Sequence, residues 1–241
     1  MTVVAIHQPQ YLPWQPYLAK AMACDVFVYL DTVQFQKDGV QNRNMVKTAN
    51  GPRWLTVPVH ASLKYTIAET QLADARWVRK HLATIRQSYR GAPSLDWFDE
   101  VLAPCLSLAH ASLAELTIRV TDHLLDRLGA RCRRIRASEL SGVGTREELV
   151  IDLARKVGAT RYLSGLGAMS YQSPATFARE GIALTYIRHR SRPYLQRHAS
   201  LGFVDELSAL DLLLNLSQTE ARAHVEDGTI FEDTTTRELG T

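Results

Sequence analysis

The sequence has little of several features that define familiar protein classes. Its three cysteines are odd in number and form no C-x-x-C pair, which argues against a disulfide framework or a structural zinc site. No apolar run approaches the ~18 residues of a membrane-spanning helix, and no basic segment precedes an apolar one near residue 1. The net charge of +3 is too small to indicate a nucleic-acid-binding protein. We therefore expect a cytoplasmic protein with free thiols, without membrane insertion or a nucleic-acid partner.

Several catalytic signatures are absent as well. The sequence contains no H-E-x-x-H motif, and His110 and His123 have no carboxylate partner at ligand spacing. Neither G-x-G-x-x-G nor G-x-x-x-x-G-K-[ST] occurs. The sequence thus predicts no metal site and no evident cofactor, and it leaves a nucleotide requirement open. With 241 residues, 46% of them hydrophobic, the chain can bury a substantial core.

The most informative stretch begins with a short β-branched run, Val3 to Ile6, which predicts a buried strand. Pro9 and Pro13 prevent the strand from continuing and prevent a helix from following at once. A helical pattern starts near Pro16, and proline is well tolerated in the first turn of a helix. The order is therefore strand, loop, helix.

Polar and aromatic side chains crowd this loop. In an open α/β sheet, ligands bind at the carboxyl ends of the strands, so the loop lies where a site is expected. A histidine at a strand end is often structural, and tyrosine or tryptophan beside proline can cap a core. The density of polar groups favours the functional interpretation. We predict His7 as a catalytic residue and four substrate-binding residues: Gln8, Gln10, Tyr11 and Trp14.

A second buried strand is predicted between Asp25 and Asp31, so the chain opens with a β-α-β unit. A right-handed crossover makes the two strands parallel and brings Asp31 to the same edge as His7. Asp31 is therefore a second catalytic candidate, although a carboxylate there can instead cap the next turn.

The segment from Gln34 to Lys47 is basic and rich in amides, and it precedes the hairpin signal Asn50-Gly51. A strand paired back through this turn would form an anchored shelf for a carboxylate or phosphate, with the guanidinium of Arg43 as a bidentate donor. The alternative is a solvated loop. The predicted substrate-binding residues here are Gln34, Asn42, Arg43 and Lys47.

Later elements alternate between helix and strand. An amphipathic helix from Ala75 to Arg90 has His81 on its inner stripe, and a basic strand at an edge is predicted from Arg131 to Arg136. A strand from Arg161 enters a glycine loop, where Ser164 and nearby backbone N–H groups can approach a ligand. The other predicted elements are helices at 107–128, 174–180 and 203–215, a strand at 182–187, and a helix opened by a capping box at Thr145-Arg-Glu-Glu148.

These elements predict an α/β fold, an open and largely parallel sheet with flanking helices, plus a β-hairpin and a helical segment in the first half. We expect a single α/β domain over residues 1–216, with its helical segment at about 75–128. Residues 217–241 are predicted to form a C-terminal helix and a polar tail.

Short sequence motifs along nearly the whole chain resemble those of the WbqC-like family of bacterial proteins. They are His7-Gln-Pro-Gln-Tyr-Leu-Pro-Trp14, Ala23-Cys-Asp-Val-Phe-Val-Tyr-Leu-Asp31, Val33-Gln34-Phe35, Gln41-Asn42-Arg43-Asn44, Trp54-Leu-Thr-Val-Pro58, Tyr162-Leu-Ser-Gly165 and Leu207 to Asn215. The resemblance adds His81, within Trp77-Val-Arg-Lys-His81, as a third catalytic candidate, and it adds Tyr194 as a substrate-binding candidate. It also implies a role in building surface polysaccharides, such as O-antigen, or natural products.

Three function classes follow. The first, which the resemblance implies, is a transferase that joins an acyl or aminoacyl (glycyl-like) group to an amine of a small-molecule substrate. In it His7 is the general base, and Arg43 and Lys47 hold an anionic group of an acyl or peptidyl carrier-protein thioester or of a sugar nucleotide. The second is an adenylyl or nucleotidyl transferase, although the chain has Trp14-Gln-Pro-Tyr17 where such enzymes would have a second histidine motif. The third is a non-catalytic binding partner of a biosynthetic assembly line.

Overall fold

The computed structural model describes residues 1–60, 62 and 64–233. Its central feature is a six-stranded sheet in which five strands are parallel and one edge strand is antiparallel. Across the sheet, the strands are β10 (Thr229–Asp233), β9 (Ala183–His189), β8 (Arg161–Gly165), β1 (Val3–His7), β2 (Val26–Tyr29) and β7 (Arg133–Arg136). The predicted largely parallel sheet is confirmed.

Helices cover both faces of the sheet. One face packs against α1 (Gln15–Met22), α2 (Arg76–Ser88), α4 (Ala103–Ser107), α5 (Leu113–Arg127), α9 (Ala209–Asn215) and α10 (Gln218–Asp227). The short helix α3 (Leu95–Trp97) leads through a π-helical turn at Phe98–Leu102 into α4. The other face packs against α6 (Ala137–Leu140), α7 (Arg146–Lys156) and α8 (Pro174–Arg179).

The side-chain alternation of the strands explains this three-layer arrangement. In β1, Val4 and Ile6 are buried against α7 and α8, whereas Ala5 is buried on the α1 face. In β2, Val26 and Val28 alternate with Phe27 in the same way. Strands that are buried on both faces read as continuous apolar runs, which is the pattern from which the sequence predicted them.

Two small antiparallel sheets lie outside the main sheet. The first is a hairpin of β3 (Arg43–Thr48) and β4 (Gly51–Thr56), with Gly51 at a φ of +97°. The second pairs β5 (Val59–His60) with β6 (Gln71–Leu72). The hairpin predicted from Asn50-Gly51 is confirmed.

Some predicted boundaries are wrong. The helix predicted at 107–128 begins only at Leu113, because Ser112 caps it by accepting from the Glu115 N–H. The helix predicted at 203–215 begins at Ala209, after Ser208 caps it. Thr145 precedes α7 as predicted but makes no side-chain cap hydrogen bond.

The C-terminal segment also differs from its prediction. The predicted helix is present as α10, but residues 229–233 then add the antiparallel edge strand β10 instead of starting a polar tail. Residues 229–233 form a strand because they pair with β9. The local polar sequence carries no signal of that pairing. The predicted tail from residue 234 onward lies outside the described residues.

The order of the strands contains a topological switch point between β1 and β8. From β1 the chain builds outward through β2 to β7, then returns to the other side of β1 to build β8, β9 and β10. In open α/β sheets, ligands bind beside the carboxyl ends of the strands at such a point. Within the described residues, none of the helices has the length and apolar character needed to cross a membrane.

Candidate functional site

The two strands at the switch point separate before they end. The pairing of β1 with β8 stops at Ala5 and Leu163, although both strands continue for two further residues. The next β1 carbonyl on this side, that of Ile6, accepts a hydrogen bond from the Lys20 ammonium at 2.8 Å. A crevice therefore opens at the carboxyl ends of β1 and β8, and a side chain takes the place of a ladder hydrogen bond.

His7 ends β1 at this crevice and is half-buried. Its Nδ1 lies 3.2 Å from the Gln8 carbonyl oxygen, so the tautomer with hydrogen on Nδ1 leaves Nε2 as an acceptor. The ring packs edge-on against Tyr17, with the centroids 4.7 Å apart. Burial and the charge of Lys20 lower the pKa of His7 to about 3. His7 is therefore neutral at physiological pH.

Lys20 is a functional candidate that sequence reasoning missed. It lies on α1 and is 5% exposed, and burial lowers its pKa to about 8. Within the described residues, its ammonium has one hydrogen-bond acceptor, the Ile6 carbonyl. The signal was present in the sequence, because a lysine at the centre of Tyr17-Leu-Ala-Lys-Ala-Met22 interrupts an apolar helix.

The loop after β1 is held by hydrogen bonds from outside the sheet. Gln8 accepts from the Gln41 side-chain amide at 2.7 Å, and the Tyr11 N–H donates to the Gln41 carbonyl at 3.1 Å. Leu12 adopts a φ of +46°, a strained conformation for a branched residue. Trp14, 38% exposed, pairs through its backbone with Ser208.

Several buried polar atoms of this region lack hydrogen-bond partners within the described residues. They are Oε1 of Gln10, Oε1 of Gln15, the Tyr17 hydroxyl and Nε1 of Trp77. Buried polar groups are nearly always satisfied in native proteins, so such a concentration is unusual. The loop and the start of α1 thus have unused hydrogen-bonding capacity.

His81 lies beneath the loop and is buried at 6% exposure. Its Nδ1 is 2.9 Å from the Tyr11 hydroxyl, and both rings pack against Trp77. Burial lowers the pKa of His81 to about 4, partly offset by the nearby Thr56 carbonyl. The structure therefore places His81 where it anchors Tyr11, and it does not bring His81 beside His7.

Asp31 and Ser164 lie at the carboxyl ends of β2 and β8, as predicted. The Asp31 carboxylate accepts hydrogen bonds from the backbone N–H and the hydroxyl of Ser138, at 2.9 and 2.7 Å. It therefore caps the first turn of α6, which lies 107 positions away in the chain, and not the next turn that the sequence offered as the alternative. Ser164 is buried on the α7 and α8 face, opposite to His7, and its hydroxyl lies near that of Tyr162 without good hydrogen-bond geometry.

The predicted basic shelf is divided by the fold. Arg43 pairs with Asp38 and stacks over the Trp54 ring at 4.7 Å. The Asn42 side chain donates to the Val57 carbonyl at 2.8 Å, within the hairpin region. Gln34 forms an isolated bridge with Thr66. Arg43 and Asn42 thus make their contacts within the hairpin region, and Asn42 is buried instead of lying on an open shelf.

Lys47 and Tyr194 belong to a separate buried network centred on Asp211. The Asp211 carboxylate accepts from the hydroxyls of Tyr89 and Tyr194, both at 2.7 Å. The Lys47 ammonium donates to Gln196 Oε1 at 3.1 Å and to the Gly202 carbonyl at 2.6 Å. Lys47 and Asp211 are completely buried. The structure thus places Lys47 and Tyr194 in the interior instead of in the crevice.

Metal ligation finds no support in this geometry. Within the described ranges 1–60, 62 and 64–233, no group of three histidine, cysteine or carboxylate side chains is arranged to hold a metal ion. Cys24, Cys105 and Cys132 are free thiols, as predicted. Cys24 lies before β2, at the opposite end of the sheet from His7. The crevice therefore offers acid–base and hydrogen-bonding chemistry from His7, Lys20 and the loop.

Comparison with known proteins identifies the family. Residues 8–223 match the model of the WbqC-like protein family. A Mycobacterium tuberculosis protein, "Uncharacterized protein Rv1507c", is 30% identical over 220 residues, which cover 90% of this chain and 94% of that protein. None of the solved structures matches significantly. The match includes the loop after β1, the hairpin, the crevice strand β8 and α9, so this chain belongs to the WbqC-like protein family.

Proposed function

We propose that this protein is a biosynthetic transferase that joins an acyl or aminoacyl group to an amine, forming an amide, in the crevice between β1 and β8. The observation that carries the proposal is the neutral His7, whose Nε2 is an available acceptor at the switch point. An amine nucleophile must lose a proton as it attacks, and a positioned neutral imidazole can accept that proton.

The proposed transfer proceeds through a tetrahedral intermediate. The amine nitrogen attacks the acyl carbon of a thioester, a C–N bond forms, and a tetrahedral oxyanion results. His7 Nε2 takes the proton from the amine nitrogen. The C–S bond then breaks, and the thiolate leaves with that proton as a thiol. The pKa of His7 is about 3 in the free protein, and the oxyanion that forms beside it favours the imidazolium until the proton passes to the leaving sulfur.

Lys20 supports this chemistry through its charge. Its ammonium lies at the Ile6 carbonyl, one residue before His7, in a site that water reaches poorly. A fixed positive charge in such an environment favours an oxyanion that develops nearby. The unpartnered amides of Gln10 and Gln15 are suited to orient the two substrates. A carrier protein that delivers the thioester is the partner this proposal requires.

The reaction is tested by intact-mass spectrometry. The protein is incubated with an acyl-loaded or glycyl-loaded carrier protein and a panel of amines, with and without nucleoside triphosphate. We expect the carrier to lose its acyl group, and the amide to form, without nucleotide. Strict nucleotide dependence would instead support an adenylyl or nucleotidyl transferase, and stable complex formation without turnover would support a non-catalytic binding partner.

The role of His7 is tested by substitution. His7→Ala should lower kcat by about 100-fold to 10,000-fold, and His7→Gln should not restore it, because an amide cannot accept the proton. His123→Ala, on α5, is the matched control and should retain wild-type turnover. Since the pKa of His7 is about 3, the wild-type rate should show no acidic limb from this group between pH 5 and 7. Full activity of His7→Gln would remove His7 from catalysis.

A further inference from the structure

A second polar cluster lies at the carboxyl end of β9, two strands from β1. A surface cavity of about 400 Å³ opens there, between the loop after β9 and the turn that joins α10 to β10. Its lining residues are Arg190, Ser191, Arg192, Pro193, Asp227, Gly228 and Ile230. It lies two strands from His7, and the transfer chemistry proposed above does not use it. The nearby His224 ring packs edge-on against Tyr194 of the Asp211 network, with the centroids 5.2 Å apart.

Polar groups without hydrogen-bond partners lie in the cavity wall and behind it. The Ser191 hydroxyl, both ring nitrogens of His189 and Nε2 of His224 are buried and lack a hydrogen-bond partner within the described residues. Ser191 lines the cavity, whereas the two rings lie beside its lining residues: His189 adjoins Gly228, and His224 lies near the Arg192 carbonyl. A hydroxyl and a neutral imidazole can each both donate and accept, so this cluster has unused hydrogen-bonding capacity.

The glycine in the turn lets the His189 ring pack directly behind the cavity wall. A Cβ atom on Gly228 would lie 2.6 Å from His189 Nε2 and 2.8 Å from the Arg190 carbonyl oxygen, which is too close for any other residue without movement. Gly228 has an ordinary φ of −79°, so its space, and not its backbone conformation, requires glycine. The close approach keeps the His189 ring next to a lining residue of the cavity.

Charge favours an anion at the same place. Arg190 and Arg192 line the cavity, and the one lining carboxylate, that of Asp227, is paired with Arg192 at 2.7 Å. The lining side chains therefore leave one net positive charge. Arginine side chains keep several N–H groups free after one ion pair, and they suit the tetrahedral oxygens of phosphate.

We propose that this cavity binds a phosphate group, held by Arg190, Arg192 and Ser191, with the two histidine rings behind the wall. A phosphate supplies acceptor oxygens for the Ser191 hydroxyl and the arginine N–H groups, and it supplies negative charge for the net positive lining. The volume exceeds that of free phosphate, so both inorganic phosphate and the phosphate of an organic phosphomonoester fit. Both ligands present the same phosphate oxygens to the cavity, and the titration below distinguishes inorganic phosphate from a phosphomonoester.

Protonation of the histidines should tighten binding. Burial, the neighbouring His224 and Arg192 lower the pKa of His189, and Asp205 opposes this effect. Burial and Arg192 lower the pKa of His224, and Asp227 opposes this effect. A bound oxyanion would favour both imidazolium ions and raise both pKa values. Sulfate keeps a constant charge between pH 8 and 5, so tighter sulfate binding at lower pH reports the histidines alone.

The test is a titration of the full chain with sulfate, inorganic phosphate, a nucleoside monophosphate and a sugar phosphate, followed by ¹⁵N NMR of the histidine rings and by calorimetry. We expect saturable binding that shifts the His189 and His224 resonances and raises their pKa values. Arg190→Gln and the conservative Ser191→Ala should each weaken binding by about tenfold, whereas Arg53→Gln, an exposed arginine on β4, should not. The ligand that binds most tightly identifies the source.

Two results would overturn the site. One is sulfate and phosphate affinity that is unchanged in both variants relative to Arg53→Gln. The other is the absence of any change in the two histidine resonances at saturating anion. Because the measurement is of binding, it can succeed or fail independently of acyl transfer at His7. Ser191→Ala removes only one hydroxyl oxygen, so a folded variant is expected, and its thermal unfolding serves as the check.

Discussion

The polar groups around Asp211 and those around His7 are both buried, but they are satisfied to different degrees. In the Asp211 network, each described carboxylate, phenol, ammonium and amide has a partner. In the loop and first turn of α1, Gln10, Gln15 and Tyr17 have atoms without one. A fully satisfied network stabilises one conformation, whereas unused donors and acceptors are available to a ligand. The comparison is consistent with a structural role for the first region and with the ligand-binding role that we propose for the second.

The largest effect is expected from breaking the satisfied network. Asp211→Ala would leave the phenols of Tyr89 and Tyr194 buried without their acceptor and would remove the nearby negative charge that favours the buried Lys47 ammonium, which should lower the free energy of unfolding by about 3 to 5 kcal/mol. Chemical denaturation measures this loss. Asp96→Ala, an exposed carboxylate on α3, is the control and should change stability by less than ~0.5 kcal/mol. An Asp211 variant as stable as the control would contradict a structural role.

The second prediction concerns pH and the anchor beneath the loop. The pKa of His81 is lowered to about 4 in the folded protein from 6.5, so the unfolded state binds more protons between these values. The contribution of His81 to stability is therefore complete above pH 6.5 and is lost as the pH falls towards 4, by roughly 3 kcal/mol. His81→Gln, which can still bond Tyr11, should lose less stability than wild type over this range. Equal acid sensitivity of the two proteins would show that His81 is not the titrating group.

The smallest effect on stability is expected at an unsatisfied group. Gln15→Leu removes an amide oxygen that has no partner, so the free energy of unfolding should stay within about 1 kcal/mol of wild type or rise. Amide formation by this variant should nevertheless fall if Gln15 orients a substrate. Thermal unfolding and the intact-mass assay measure the two quantities on one sample. A stability loss as large as that of Asp211→Ala would remove the contrast between the regions.

The fold was largely predictable because its signals are local. The apolar run before His7 predicts β1, the prolines predict its end, and Asn50-Gly51 predicts the hairpin. The satisfied network was not predictable, because its partners are distant in sequence: Tyr89 and Asp211 are separated by 122 positions. A carboxylate within Leu210 to Leu214 was a usable signal, since buried charges are rare unless they are paired.

The candidate site was predictable only in its location. The sequence placed His7, Asp31 and Ser164 at the carboxyl ends of neighbouring strands, and the structure agrees. It could not show that Ser138 uses the Asp31 carboxylate, or that Lys20 reaches the Ile6 carbonyl. Both contacts depend on how a helix packs onto the sheet, which periodicity does not encode. The same reason explains why Lys47 was assigned to a surface but lies in the interior.

The central position of β1 has a consequence for folding. β1 is paired on one side by β2, nearby in sequence, and on the other by β8, whose contact at Thr160 is 158 positions from Thr2. At synthesis rates of roughly 5 to 20 residues per second, the β8 side of β1 lacks its partner for about 8 to 30 s. An apolar strand edge that waits this long can pair with other chains. We therefore expect the yield of native protein to depend on protection of Val3 to Ile6 during synthesis as well as on the stability of the finished fold.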